Sequence, residues 1–324
     1  MPKTIYITTI ILFSAWLLAS CGGDSADDMQ RPVEKESQEI SFKADVWKMA
    51  EATRVTTYDN AAALQDQGSF TCYAYTANST TLNDDADIKG IPVTWNPTLN
   101  QWKFATVHHW PANDDHLDFF AYMPATPPTY ITDNSDVESQ VTYVVACNPQ
   151  FKCKNLPMTN AGQDGICEFI YGLVPNQNKT DNGSGVVLTF QHPFTRIKLQ
   201  FSSSQENIQI NSITLKNIQN NGSYLHSTGW TPSGDATNLV LEFEGEAANF
   251  VANEVIGTYL MIPQTWSGGI DVNATWSVWG ESQTKTVSTT LNSVTWQRGY
   301  SYTYTFTVTP TDLTVNTSKY TEQW

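Results

Sequence analysis

The stretch SYTYTFTVT, Ser301 to Thr309, places Ser or Thr at every odd position and Tyr302, Tyr304, Phe306 and Val308 at every even one. Successive side chains of a strand point to opposite faces, so this segment has one apolar face and one hydroxyl face. A slip of one residue would turn the apolar face to water, so the register is strongly specified. The same period recurs upstream. Ile40, Phe42, Ala44 and Val46 alternate with Ser41, Lys43 and Asp45, and Phe70, Cys72 and Ala74 with Thr71, Tyr73 and Tyr75. Residues 92–95 and 101–105 flank the turn residues NPTLN as a hairpin. Further strands are expected at 116–123, 141–146, 168–173, 186–190, 196–201, 208–215, 239–243, 258–262, 270–279 and 284–291. No stretch of ten or more residues has helical periodicity. Many short strands with turn signals between them predict an all-β protein, a β-sandwich repeated in tandem.

Composition agrees with that class and narrows the partners. Eleven Trp and fourteen Tyr, with abundant Thr, Ser and Asn, suit the half-buried pleated surfaces of an extracellular β-protein. A net charge of −15 argues against nucleic acid, whose phosphates require a basic face. The chain's 324 residues are enough for two domains of ordinary size.

The amino end has a different character. Lys3 precedes TIYITTIILFSAWLLASC, residues 4–21, whose apolar run is short for a membrane span and suited to a secretory signal. Its close, Leu18-Ala19-Ser20-Cys21, resembles the lipobox of bacterial lipoproteins. That resemblance implies cleavage before Cys21, acylation there, and attachment by about 0.8 kcal/mol per buried methylene. An ordinary signal with a chance cysteine, or an uncleaved N-terminal anchor, is the alternative. Residues 22–36, GGDSADDMQRPVEKE, are polar and read as a flexible tether. Asp24, Asp27 and Asp28, just behind Cys21, resemble the signal that carries some Bacteroidetes lipoproteins to the cell exterior. The resulting division is a signal at 1–20, a tether at 21–37, one β-sandwich at 38–185 and a second at 186–324. Its inner boundary follows the loop signal NQNKTDNGSG at 176–185.

No constellation points to catalysis. His108 and His109 are adjacent and so face opposite ways on a strand, and neither they nor His116 has partners at metal-ligand spacing. The acidic run at 83–87 lacks the Gly and the closing Glu of an EF-hand loop. Gly183-Ser184-Gly185 is not a nucleophile elbow. The residues therefore give no enzyme, no metal and no cofactor. Cys72, Cys147, Cys153 and Cys167 are either paired in an oxidising compartment, with Cys147 and Cys153 closing a loop around NPQFK, or buried thiols. Trp266, Trp276, Trp279 and Trp296 read as packing residues or, alternatively, as a platform for sugar rings.

The motifs that remain are similar to those of one family. The segment FQHPFTRIKL at 190–199, ITLKN at 213–217 followed by Gly222, and MIPQ at 261–264 occur in the order found in the Bacteroidetes fimbrillin (Mfa-like) family. The closing run at 296–315, the terminal Glu322-Gln323-Trp324, Trp110-Pro111 and LDFFAYMP at 117–124 also resemble it. The resemblance implies a type V pilus subunit of two transthyretin-like, Greek-key sandwiches, exported as an outer-membrane lipoprotein to the cell surface. It also implies an Arg-specific cut, here after Arg54 and before Val55, that releases the strand carrying Ile40, Phe42 and Val46. A strand from a neighbouring subunit would fill the vacated groove, and residues 312–324, with Leu313 and Val315, are the candidate donor. The partners implied are other pilus subunits, the membrane through the lipid, and a surface ligand. A non-polymerising surface lipoprotein that binds glycans or a host ligand is the competing reading.

Overall fold

A computed structural model of the chain describes residues 38–46, 60–76, 87–111, 116–132, 142–144, 148–159, 163, 166–203, 208–243, 254–278, 283–292, 294–309, 312–316 and 322–323. Cys21, Arg54, Val55, Cys147 and Trp279 lie outside these residues. The first elements are β1 (Ser41–Val46), α1 (Ala61–Gln67), β2 (Ser69–Thr76), β3 (Ile88–Asn96), β4 (Gln101–Phe104), β5 (Leu117–Met123), β6 (Ile131–Thr132), β7 (Thr142–Val144), β8 (Asn148–Cys153), β9 (Ile170–Gln177) and β10 (Val186–Gln191). There follow β11 (Thr195–Ser203), β12 (Ile208–Ile218), β13 (Asn221–Leu225), β14 (Gly229–Ser233), β15 (Thr237–Glu242), β16 (Glu254–Met261) and β17 (Thr265–Trp266). The last are β18 (Ile270–Val278), β19 (Thr284–Leu291), β20 (Val294–Thr295), β21 (Tyr300–Val308), β22 (Leu313–Asn316) and β23 (Glu322–Gln323). The fold is all-β, as the alternation predicts.

Seven strands close a barrel in the order β1-β10-β9-β5-β2-β3-β4. Closure leaves no free edge in this layer, where the alternation alone suggests two open sheets. The second half is a sandwich: β16-β11-β21-β22 faces β15-β12-β18-β19, with Leu199, Ile213, Leu215, Leu241 and Trp276 buried between them. A third sheet, β14-β13-β8-β6, joins elements of both halves and packs Phe151, Tyr171, Phe194 and Tyr224 into one aromatic core.

β10, which begins at the expected division at 185/186, pairs with β1 and β9 inside the barrel. The loop before it is the turn of the β9–β10 hairpin. Gly185 sits there at φ +104, where an added Cβ would meet Ser41 O at 3.3 Å, so the turn requires glycine. Asn148–Cys153 is strand β8, paired with β13 on one side and with β6 and β7 on the other. Cys72 and Cys153 are buried free thiols, and burial pushes both well above the usual thiol range. One helix escapes the sequence reading. In α1, Asn60 Oδ1 accepts the Ala63 N–H at 3.0 Å, Leu64 is buried, and Gly68 ends the helix at φ +77. Its seven residues are too few for a visible helical period, but both caps are in the sequence.

Candidate functional site

The N-terminal strand is held on both sides. β1 runs parallel to β10, from Phe42 opposite Val186 to Val46 opposite Phe190, and antiparallel to β4, with Phe42 opposite Trp102. Just before it, Ile40 N–H donates to His108 O at 2.8 Å and Trp110 N–H donates to Gln38 O at 3.0 Å. Alternation puts Ile40, Phe42 and Val46 inside the barrel, where they are 1%, 0% and 3% exposed. Phe42 meets Phe70, Phe104 and Phe119 edge-on at centroid distances of 5.9, 5.5 and 5.4 Å. At the rim, Lys103 Nζ reaches Glu39 Oε2 at 2.8 Å and Lys43 Nζ donates to Ser184 Oγ at 3.2 Å. Without β1, the barrel would open into a groove with an aromatic floor and two unpaired edges, β10 and β4. Such edges accept another strand.

At the other end of the chain, β11 takes one edge of β21 and the last residues return along the opposite edge. There β22 pairs Leu313 with Val308 and Val315 with Phe306, and β23 pairs Gln323 with Tyr300. Asp312 turns the chain: its N–H donates to Thr309 Oγ1 at 3.0 Å and its carbonyl accepts the Thr309 N–H at 2.8 Å. The candidate donor segment thus lies on a sheet margin.

The titratable groups gather elsewhere. His192, from the FQHPF segment, lies in the interior with Nδ1 at 2.8 Å from Glu168 Oε1, both side chains inaccessible to solvent. Tyr171 joins Tyr224 hydroxyl to hydroxyl at 2.6 Å and reaches His226 Nδ1 at 2.7 Å. Arg298 donates to the Tyr224 hydroxyl. A consistent order of donors runs from Arg298 through Tyr224 and Tyr171 to His226, which requires a neutral imidazole. Burial and the nearby guanidinium lower the His226 pKa, in agreement. His108 lies edge-on to Phe104 at 4.7 Å, and His116 Nε2 meets the Asn178 amide at 2.9 Å. Among the described residues no three metal-ligating side chains converge. Trp276 is core, Trp296 is buried, and Trp266 stands edge-on to Trp296 at 4.8 Å. Nothing in the sequence marks Glu168, Trp230 or Arg298 as a site residue, because each meets partners that lie 24 or more residues away.

A family model described as fimbrillin-like matches residues 53–324. A fimbrial protein from Bacteroides vulgatus has a similar structure, with TM-score 0.59 at 15% identity over 88% of this chain and 99% of that one. Two proteins assigned to cell adhesion are also similar. The one from Bacteroides uniformis has TM-score 0.55 at 16% identity, over 88% of this chain and 98% of that one. The one from Bacteroides ovatus has TM-score 0.57 at 15% identity, over 89% and 98%. At these identities the likeness is one of fold. No curated protein matches the chain.

Proposed function

The chain belongs to the fimbrillin-like family, and from that premise we propose that it is a surface pilus subunit assembled by strand exchange, with a role in adhesion. The family is one of structural fimbrial proteins rather than enzymes, and a fimbrial subunit implies other subunits as partners. In this reading the precursor is exported as a lipoprotein on Cys21 and cut between Arg54 and Val55. It then loses β1 and receives a strand carrying apolar residues at alternate positions, for which Leu313 and Val315 of a second copy have the spacing. The mature domains are the barrel and the sandwich.

The observation that carries the reading is the burial of Ile40, Phe42 and Val46 in an N-terminal strand paired on both edges. Burying three such side chains is worth roughly 1.5–3 kcal/mol each, about 5–9 kcal/mol in all as an upper estimate. A domain is stable by only about 5–15 kcal/mol, so loss of this strand leaves it marginal and in need of a replacement. The test is digestion of the purified precursor with an Arg-specific protease, followed by N-terminal sequencing and sizing. A new terminus at Val55 accompanied by oligomers is expected. A clean cut there that leaves an equally stable monomer at high concentration would overturn the reading in favour of a non-polymerising binder.

A further inference from the structure

The second half contains a cavity of about 580 Å³, within the ~300–1,000 Å³ typical of small-molecule sites. Its wall comes from four places in the chain. Asn217 and Gln219 lie at the end of β12, Trp230 and Pro232 in β14, residues 263–266 lead into and form β17, and Trp296 follows β20. The frame is stiff. The Gln264 side chain accepts the Gln219 N–H at 2.9 Å and donates to Gln219 O at 3.0 Å and Ile262 O at 2.9 Å. The Trp296 N–H donates to Gln264 O at 2.9 Å.

The chemistry of the lining narrows the ligand. All three indole N–H groups are already used within the protein: Trp266 donates to Asn217 O at 2.9 Å, Trp296 to the Tyr304 hydroxyl at 2.8 Å, and Trp230 to Pro193 O. What Trp230 and Trp266 can offer a ligand is therefore carbon surface. Trp230 and Trp266 are partly exposed, and Pro232 and Pro263 add apolar surface beside them. The polar groups of the lining are side-chain amides and one hydroxyl, which suit the hydroxyls of a neutral ligand. Thr265 and Asn217 are exposed at the rim. No lining residue is charged, and the net charge of −15 disfavours an anionic ligand.

We infer that this cavity is a binding site for a neutral pyranose, a hexose or N-acetylhexosamine unit, whose C–H face rests on Trp230 and Trp266 while its hydroxyls reach Asn217 and Thr265 at the rim. A proline-rich peptide also docks on aromatic grooves, but it fits the donors and acceptors here poorly. Proline has no N–H for the acceptors of Asn217 and Thr265, and the indole N–H groups that would hold peptide carbonyls are engaged. The inference gives the adhesive part of the proposed function a place and a ligand class. Repetition along a polymer would raise a weak single-site affinity by avidity, of order 10²–10⁴.

The test uses the purified, uncut full-length chain, so its outcome does not depend on strand exchange. Neutral hexose and N-acetylhexosamine oligosaccharides are screened by saturation-transfer NMR, and the best is titrated calorimetrically. Ring C–H protons should receive saturation. Trp266→Ala should weaken binding at least about tenfold, and Trp266→Phe less. Thr265→Arg, which fills the cavity from an exposed position, should abolish binding with an unchanged melting temperature and covers the case in which Trp266→Ala does not fold. No binding at about 10 mM sugar, equal binding by wild type and Thr265→Arg, or binding of a polyproline peptide alone would each overturn the site.

Discussion

Phe42 is enclosed by the edges of Phe70, Phe104 and Phe119, an arrangement that no smaller side chain can replace. Phe42→Ala should cost the uncut precursor about 3–5 kcal/mol, or roughly 6–20 °C in melting temperature at ~2–4 °C per kcal/mol. Once β1 has been removed, thermal melting should no longer distinguish the variant from the wild type, which separates the strand's role from a general packing defect. His226 supplies a second expectation, in pH. Its pKa in the fold lies below the ordinary 6.5, because burial and Arg298 both disfavour the imidazolium. The unfolded chain then binds the extra proton more readily, so stability rises with pH across the interval between the two values. The contribution is complete above about 6.5 and is lost as pH falls through the folded value. A melting series from pH 7.5 to pH 5 should fall more steeply for the wild type than for His226→Asn, as the imidazolium breaks the hydroxyl chain through Tyr171 and Tyr224. Parallel curves would remove His226 from the acid response.

The strands most legible in the sequence are those with one wet and one dry face. β21 and β1 show a strict period of two, and their observed registers follow it. β13 and β14 were missed because Asn221, Gly222, Gly229 and Pro232 carry turn chemistry in residues that nonetheless pair in register. Close approach accounts for one of them: a Cβ on Gly222 would stand 3.0 Å from Thr231 O. The cavity was legible only as separate tryptophans, since Gln219 and Trp230 reach it through pairings that no local pattern encodes. β1 itself makes an element-scale prediction. Nearly all of its attachment consists of backbone pairing to β10 and β4 plus three buried side chains. A synthetic peptide of residues 38–46, QEISFKADV, should therefore refill the groove of the cut subunit, restore its melting temperature and block oligomers. The same peptide carrying Phe42→Asp should do neither, because an unpaired carboxylate would enter an aromatic floor. Equal protection by both peptides would mean that the groove is not the site of assembly.

Across the whole molecule the two halves share one topological device. In the barrel the first strand, β1, lies parallel to the last, β10, and in the sandwich β11 lies parallel to β21 in the same way. β1 is the first strand of its half among the described residues, so a single cut in the chain after it would free it without severing the other strands of the barrel from one another. The opposite extremity has the complementary property: β22 and β23 occupy a margin of β21 and close no barrel. Under the proposed assembly, a cut subunit would have one vacancy to fill and one strand to give, and polymer length would depend on both. A chain ending at Thr309 should keep its fold, losing the pairing to β21 and the contact of β22 with β19, and should melt within a few degrees of the full chain. After the Arg54 cut it could accept a strand but not donate one. Mixed in rising proportion with cut full-length subunits, it should shorten the ladder of oligomers progressively, and alone it should stop at monomers. If the shortened chain polymerises as well as the full one, Leu313 and Val315 are not the donor residues, and the strand that fills the groove comes from elsewhere in the chain.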